Sequence, residues 1–265
     1  GIPLSGDFDG NGTDELLIYL HGFWFVDLNG NRQWDRDDLW AKLGTPSDLP
    51  VVGDWDGDGK DDIGIFGPQW PNDLRAIDCE PGLPDLANSL SGPAKNTPPE
   101  KEKATSGYRK MKSKAKGSVQ NHLIDHVFHF GSNQEWPVCG DWNGDGVRNI
   151  GTFKDGTWKL DINGDGRLTS QDRSYEFGQE GDLPVVGDFN GDGIEQIGVY
   201  RAGTWLIDSN ANGALEATDK VFKLGTVDDV PVVGDFNGDG LDEPAVYNIP
   251  AETQNSSPKI LDKAG

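Results

Sequence analysis

The string Gly-Asp-aromatic-Asp/Asn-Gly-Asp/Asn-Gly recurs five times in this chain, with its first aspartate at Asp7, Asp54, Asp141, Asp188 and Asp235. Three of the four spacings are 47 residues and the other is 87, so one repeat carries 40 extra residues. Such units cannot bury an apolar face alone and must stack on one another. The rest of the unit stays in register. Trp24, Trp158 and Trp205 each lie seventeen residues after the loop aspartate, and Leu43-Gly44, Phe177-Gly178 and Leu224-Gly225 end ten before the next one. Phe130-Gly131 has the same offset from Asp141, which places the insertion before it.

Each unit reads as four short strands. In the repeat around Asp188 they are Leu183 to Gly187, Gln196 to Tyr200, Thr204 to Ile207 and Val221 to Leu224, with no amphipathic helical stretch between them. Four-stranded units at this period predict an all-β fold, a β-propeller. Four complete blades and a fifth, Pro231 to Tyr247, predict a five-bladed ring whose last blade is incomplete. Pro258 to Leu261 is its candidate third strand within an irregular tail, 248–265. A fragment of a larger propeller and an open β-solenoid are the alternatives. The whole chain, 1–265, is expected to be one domain.

Composition narrows the function. The chain has 45 acidic and 23 basic residues, a net charge of −22, and 34 of the acids are aspartate. Aspartate is a poor helix former, and this charge excludes ordinary nucleic-acid or anionic-membrane partners, which need a basic face. No apolar run has the 18 or so residues that span a bilayer. With neither a starting methionine nor a signal-like segment, the sequence reads as a soluble, mature or recombinant form. The insertion, about 80–124, is the electrostatic exception: its core, 88–120, holds eight basic and two acidic residues. Composition predicts a flexible excursion there, either solvated against the acidic body or an arm for an acidic partner.

The recurring loop has the spacing of an oxygen cage. In Asp54, Asp56, Asp58, Lys60 and Asp62, side chains at positions 1, 3, 5 and 9 and the carbonyl at 7 can converge on one point, because glycine at 6 turns the chain back. The matching sets are Asp7, Asp9, Asn11, Thr13, Glu15; Asp141, Asn143, Asp145, Val147, Asn149; Asp188, Asn190, Asp192, Ile194, Gln196; and Asp235, Asn237, Asp239, Leu241, Glu243. Position 7 is expected to act only through its carbonyl, since its side chain varies freely. Asp-Gly and Asn-Gly also make plain hairpin turns, but five copies with an oxygen side chain at every ligand position point to calcium.

These loops, with the aromatic-Gly step before them, make residues 2 to 247 outside the insertion resemble the FG-GAP repeats of integrin α-subunit propellers and the related VCBS-like repeats of bacterial surface and secreted proteins. The resemblance implies a loop that joins the first two strands of a blade and binds calcium at the ring's rim. The Gly-Ala-Pro end of the integrin motif is absent, so an integrin-like ligand is not implied.

A second loop follows the third strand with EF-hand spacing: Asp161, Asn163, Asp165, Arg167 and Asp172; Asp208, Asn210, Asn212, Ala214 and Asp219; and Asp27, Asn29, Asn31, Gln33 and Asp38. The last has Arg32 where glycine is expected. Without flanking helices these loops are expected to be static sites, giving up to about eight calcium ions for the two kinds. A further loop, from Asp78 to Asp125, is split by the insertion.

Other features have structural readings. His122, Asp125, His126 and His129 could form a zinc cluster, but His129 falls at an exposed position of a fourth strand. Cys139 takes the place of the strand valines Val52, Val186 and Val233, as a buried thiol or bridged to Cys79. The recurring tryptophans read as strand packing, and no nucleophile elbow, phosphate loop or metalloprotease helix occurs. The expectation is a non-catalytic, secreted or cell-surface calcium-binding module, structural or adhesive, with an unknown protein or glycan ligand. A lectin and a non-catalytic module of a polysaccharide-degrading enzyme are the alternatives.

Overall fold

The computed structural model describes residues 1–35, 38–42, 46, 48–55, 59–66, 125–128, 130–131, 134–164 and 168–248. Several expectations lie outside them: the insertion core with its basic run, Asp78, Cys79, His122, His129, the strand Pro258 to Leu261, and Asp56, Asp58, Asp165 and Arg167.

The described residues are all-β, with no helix. Three sheets have four strands each in sequence order: β1 (Ile2–Gly6), β2 (Glu15–Leu20), β3 (Phe23–Val26), β4 (Leu39–Lys42); β8 (Trp136–Gly140), β9 (Asn149–Lys154), β10 (Thr157–Leu160), β11 (Arg173–Glu176); and β12 (Leu183–Gly187), β13 (Gln196–Arg201), β14 (Thr204–Ile207), β15 (Lys220–Lys223). The fourth strand β15 starts one residue earlier than the sequence suggests. A two-stranded sheet pairs β16 (Asp229–Gly234) with β17 (Glu243–Asn248).

The remaining sheet departs from the four-stranded expectation. It pairs β5 (Leu49–Gly53) with β6 (Asp62–Phe66) antiparallel, and β6 with β7 (Asp125–Phe128) in parallel. A fourth strand runs in the direction of the second, so one set directly beside the second must pair in parallel. Asp125, expected just before this strand, is its first residue.

Local chemistry fixes these strands. His21-Gly22, Asp155-Gly156 and Ala202-Gly203 all have positive φ, the type I′ geometry that suits a two-residue hairpin between twisted strands. In β2, Glu15, Leu17 and Tyr19 face inward while Leu16 and Leu20 face out. Trp24, Trp158 and Trp205 are fully buried, each ring against the aromatic at the end of the second strand, Tyr19, Phe153 or Tyr200, with centroids 5.0, 4.7 and 5.4 Å apart. The Trp158 and Trp205 indoles donate to the carbonyls of Phe177 (2.8 Å) and Leu224 (3.0 Å), the residues before Gly178 and Gly225. The packing role read for these tryptophans is what the fold gives them.

The first strands pack in order, β1 on β5, β5 on β8, β8 on β12, β12 on β16, and β16 on β1. They enclose a cavity of about 170 Å³ lined by the same three positions of each, from Pro3-Leu4-Ser5 to Pro231-Val232-Val233. Each strand's inner edge has no ladder partner, so a proline there forfeits no sheet hydrogen bond. Cys139 is a free thiol on this wall, and burial pushes its ionisation well up.

Trp205→Ala should therefore cost about 3–5 kcal/mol in a denaturant titration, whereas Trp34→Ala, at a position 54% exposed, should stay within about 1 kcal/mol.

Candidate metal centres

The first aspartate organises each loop of the first kind. Asp7 Oδ1 accepts from the N–H groups of Gly10 (2.7 Å) and Asn11 (3.0 Å), and its Oδ2 from that of Gly12 (2.8 Å). Asp141, Asp188 and Asp235 repeat the pattern at positions 4, 5 and 6 of their loops, and Asp54 Oδ2 accepts from Gly59 at 2.8 Å. Gly12, Gly146, Gly193 and Gly240 hold φ between 81° and 84°, the left-handed turn that sends the chain back toward its start.

Among the described residues, two loops gather three carboxylates. One oxygen each from Asp7, Asp9 and Glu15 lie within 4.8 Å of one another, as do those from Asp235, Asp239 and Glu243. Glu15 Oε2 accepts from Phe8 N–H (2.9 Å) and Glu243 Oε2 from Phe236 N–H (3.0 Å), so each position-9 side chain is held in place, while Glu243 Oε1 also accepts from Asn237 Nδ2. Burial, then Asp9 and Asp7, push the Glu15 carboxyl up to about 8. In the Asp141 loop, Asn149 Oδ1 is buried with no hydrogen-bond partner. Clustered anions and an orphaned buried oxygen are what a hard cation would satisfy, so these donor sets fit calcium.

The Asp188 loop meets its needs internally. Asn190 Nδ2 donates to Asp192 Oδ2 at 3.0 Å, and Gln196 Nε2 donates to the position-7 carbonyl, Ile194 O. Amide hydrogens thus occupy two acceptors that a cation would use. Asn143 does the same to Asp145 at 3.0 Å, and Asn237 to Glu243.

The second kind of loop repeats the cap. Asp27 accepts from Asn31 and Arg32 N–H (3.2 and 2.6 Å), and Asp208 from Asn212 and Gly213 N–H (3.2 and 2.6 Å). At position 12, Asp172 accepts from Ile162 and Thr169 N–H, and Asp219 from Ser209 and Glu216 N–H. These aspartates close the loop with both oxygens. Asp38 differs: Oδ2 accepts from Asp35 N–H at 2.6 Å, while the buried Oδ1 has no partner. Asn31 Nδ2 donates to Asp35 at 2.9 Å, and Asn210 Nδ2 to Glu216 at 3.4 Å. Asp35 and Glu216, at position 9 of these loops, escaped the sequence reading. An acid eight residues after the first aspartate was the available signal.

Position 7 does more than offer a carbonyl. Lys60 and Ile194 lie over Gly10 and Gly144 of the preceding loop, Leu241 over Gly191, and Thr13 over Gly238. A Cβ on any of these glycines would sit 2.8 to 3.1 Å from that side chain, so the position-4 glycine makes room for the neighbouring loop. Lys60 Nζ also donates to Asp9 O at 2.8 Å.

Position 8, which the sequence reading left out, ties the loops together. The N–H groups of Asp14, Asp61, Arg148, Glu195 and Asp242 donate to the carbonyls of Asp235, Asp7, Asp54, Asp141 and Asp188, at 2.8 to 3.2 Å. The carboxylates of Asp61, Glu195 and Asp242 return the bond, accepting from the N–H groups of Asp7, Asp141 and Asp188 at 2.9, 2.6 and 2.7 Å. The signal was a charged residue at this position in every copy. Arg148 is the single cation among them, 3.1 Å from Glu195 and 3.9 Å from Asp61. Burial, then Asp61, push the Asp14 carboxyl up to about 8; burial pushes Glu195 up to about 7 against the pull of Arg148, and raises Asp61 and Asp242 as well.

No known protein family, curated protein or solved structure matches the chain.

Two outcomes follow for the metal-free protein and for the order of filling. An acid whose folded pKa is raised binds more protons folded than unfolded, so its stability contribution is full below about 4 and is lost as pH rises. In EDTA, stability should fall between about pH 4 and 8 as Asp14, Glu15 and Glu195 ionise, measured as urea midpoints across that range. In a calcium titration followed by site-resolved NMR, the Asp7 loop should fill before the Asp188 loop, and Gln196→Glu should tighten the latter about tenfold or more. Filling in the reverse order would show that ligand charge does not rank the sites.

Proposed function

We propose that this chain is a non-catalytic calcium-binding β-propeller of five blades, of the FG-GAP-like kind, working outside the cell as a structural, adhesive or ligand-binding module. The observation that carries this reading is the convergence of Asp7, Asp9 and Glu15, and of Asp235, Asp239 and Glu243, within loops whose first aspartate accepts the same three N–H bonds. The propeller reading draws support from the first strands, which pack from β1 round to β16 and back to β1, and from the loop-to-loop bonds that run the same way.

Calcium would supply the charge that these loops lack. Eight dications would take the net charge from −22 to about −6, removing most of the self-repulsion that weakens the compact state. A ligand that binds only the folded form stabilises it by mass action. Millimolar calcium outside the cell suits several weak sites of this kind.

EDTA should lower the melting temperature by more than about 10 °C, and calcium should restore it better than magnesium, which keeps more of its water. Native mass spectrometry should count several bound calcium ions. A melting curve indifferent to EDTA would remove the calcium reading, and with it the main support for the function proposed.

A further inference from the structure

A cavity of about 590 Å³ opens between β17 and the face of β2 and β3, the size of a small-molecule site. Its walls are apolar: Leu16, Phe25, Val246 and Tyr247, with Trp34 standing at 54% exposure edge-on to Phe25, ring centroids 5.4 Å apart. Among the described residues its charged lining is one cation, Arg32, and one acid, Asp27, and Arg32 also lines a second hollow of about 420 Å³ that shares Leu16, Asp27 and Ala245 with the first.

Arg32 is held there against its own backbone preference. It occupies position 6 of the Asp27 loop with φ of 62°, where the corresponding Gly213 has φ of 75°. A long side chain in left-handed geometry is an uncommon choice that glycine would relieve. The loop's own needs do not require it, because the bond to Asp27 comes from the Arg32 backbone N–H, which glycine also has. Arg32 takes no part in the ion pairs found among the described residues, which join Arg148, Lys159 and Arg201 to acids elsewhere.

We infer that this cavity binds a small amphipathic anion, a flat apolar group against Trp34 and Phe25 with its carboxylate on the Arg32 guanidinium. Charge complementarity selects the occupant. On a chain of net charge −22 most of the acidic body repels an anion, and a guanidinium beside an apolar wall offers it a two-pronged, charge-assisted bond where burial is also favourable. None of the contacts invoked uses a metal ligand's side chain, although Asp27 and Gln33 of the same loop also line the cavity.

The test is calorimetric titration of the full chain with naphthalene-2-carboxylate and with its neutral counterpart, naphthalene-2-methanol. The carboxylate should bind one to one. Arg32→Gly should weaken it about tenfold or more while leaving the neutral compound's affinity unchanged and the melting temperature within about 4 °C of the parent. Trp34→Ala should weaken both compounds. Equal carboxylate affinity in Arg32→Gly and the parent overturns the proposal. So does binding that appears only after residues 249–265 are deleted, which would give the groove to the chain's own C-terminal segment.

Discussion

One carboxylate per loop holds the hairpins of this protein together. The first aspartate gathers N–H groups from positions 4, 5 and 6 of its own loop, and that bond set turns the chain tightly enough for the second strand to start where it does. In an exposed loop of glycines those N–H groups would otherwise face water, and the loop would carry the full entropy of several freely rotating residues. The same fold-back directs the side chains at positions 3, 5 and 9 inward, so the hairpin and the candidate cation site are products of a single geometry.

The loops then depend on each other through position 8. Each N–H from this position reaches the first carbonyl of the neighbouring loop, and three of the carboxylates answer with a second bond. Two parallel hydrogen bonds fix orientation as well as distance, which the packing of apolar first strands alone does not. Repeating an acid at this position in every copy would gather five carboxylates at one end of the first strands. At an effective dielectric constant of about 20, like charges about 5 Å apart repel by roughly 3 kcal/mol. Arg148 converts two such neighbours into attractions, with Glu195 and Asp61, and the acids beside it, Asp61 foremost, hold its guanidinium protonated. The departure from the repeat is thus a condition for the repeat to work.

The strands and their order were legible because their signals are local: the tryptophan seventeen residues after three of the five loop aspartates, the aromatic-Gly step and the two-residue turns all act within one unit. What escaped acts between units. Position 8 looks like one more acid in an acidic chain until its partner is seen to be the next loop. Position 7 was expected to be indifferent to its side chain, yet Lys60, Ile194, Leu241 and Thr13 cover the position-4 glycine of a neighbour, a constraint on size and reach rather than on residue type. The parallel pairing of β6 with β7 also lay beyond reach, since the spacing of the motif locates the fourth strand in sequence but not the strand it will lie against.

A repeated architecture builds its walls from equivalent residues, so a site with its own specificity has to arise where equivalence fails. Between β17 and β2 it fails twice. The described part of the last sheet has two strands where three others have four, and Val246 and Tyr247 of its second strand line the hollow. On the opposite wall, the Asp27 loop carries an arginine at a position whose geometry suits glycine. Apolar lining alone would make a greasy cleft, and an arginine in left-handed geometry alone would be a minor cost to stability. Side by side they make an apolar pocket lined by one positive group, and an arginine kept where glycine would fit is what the proposed anion site would need.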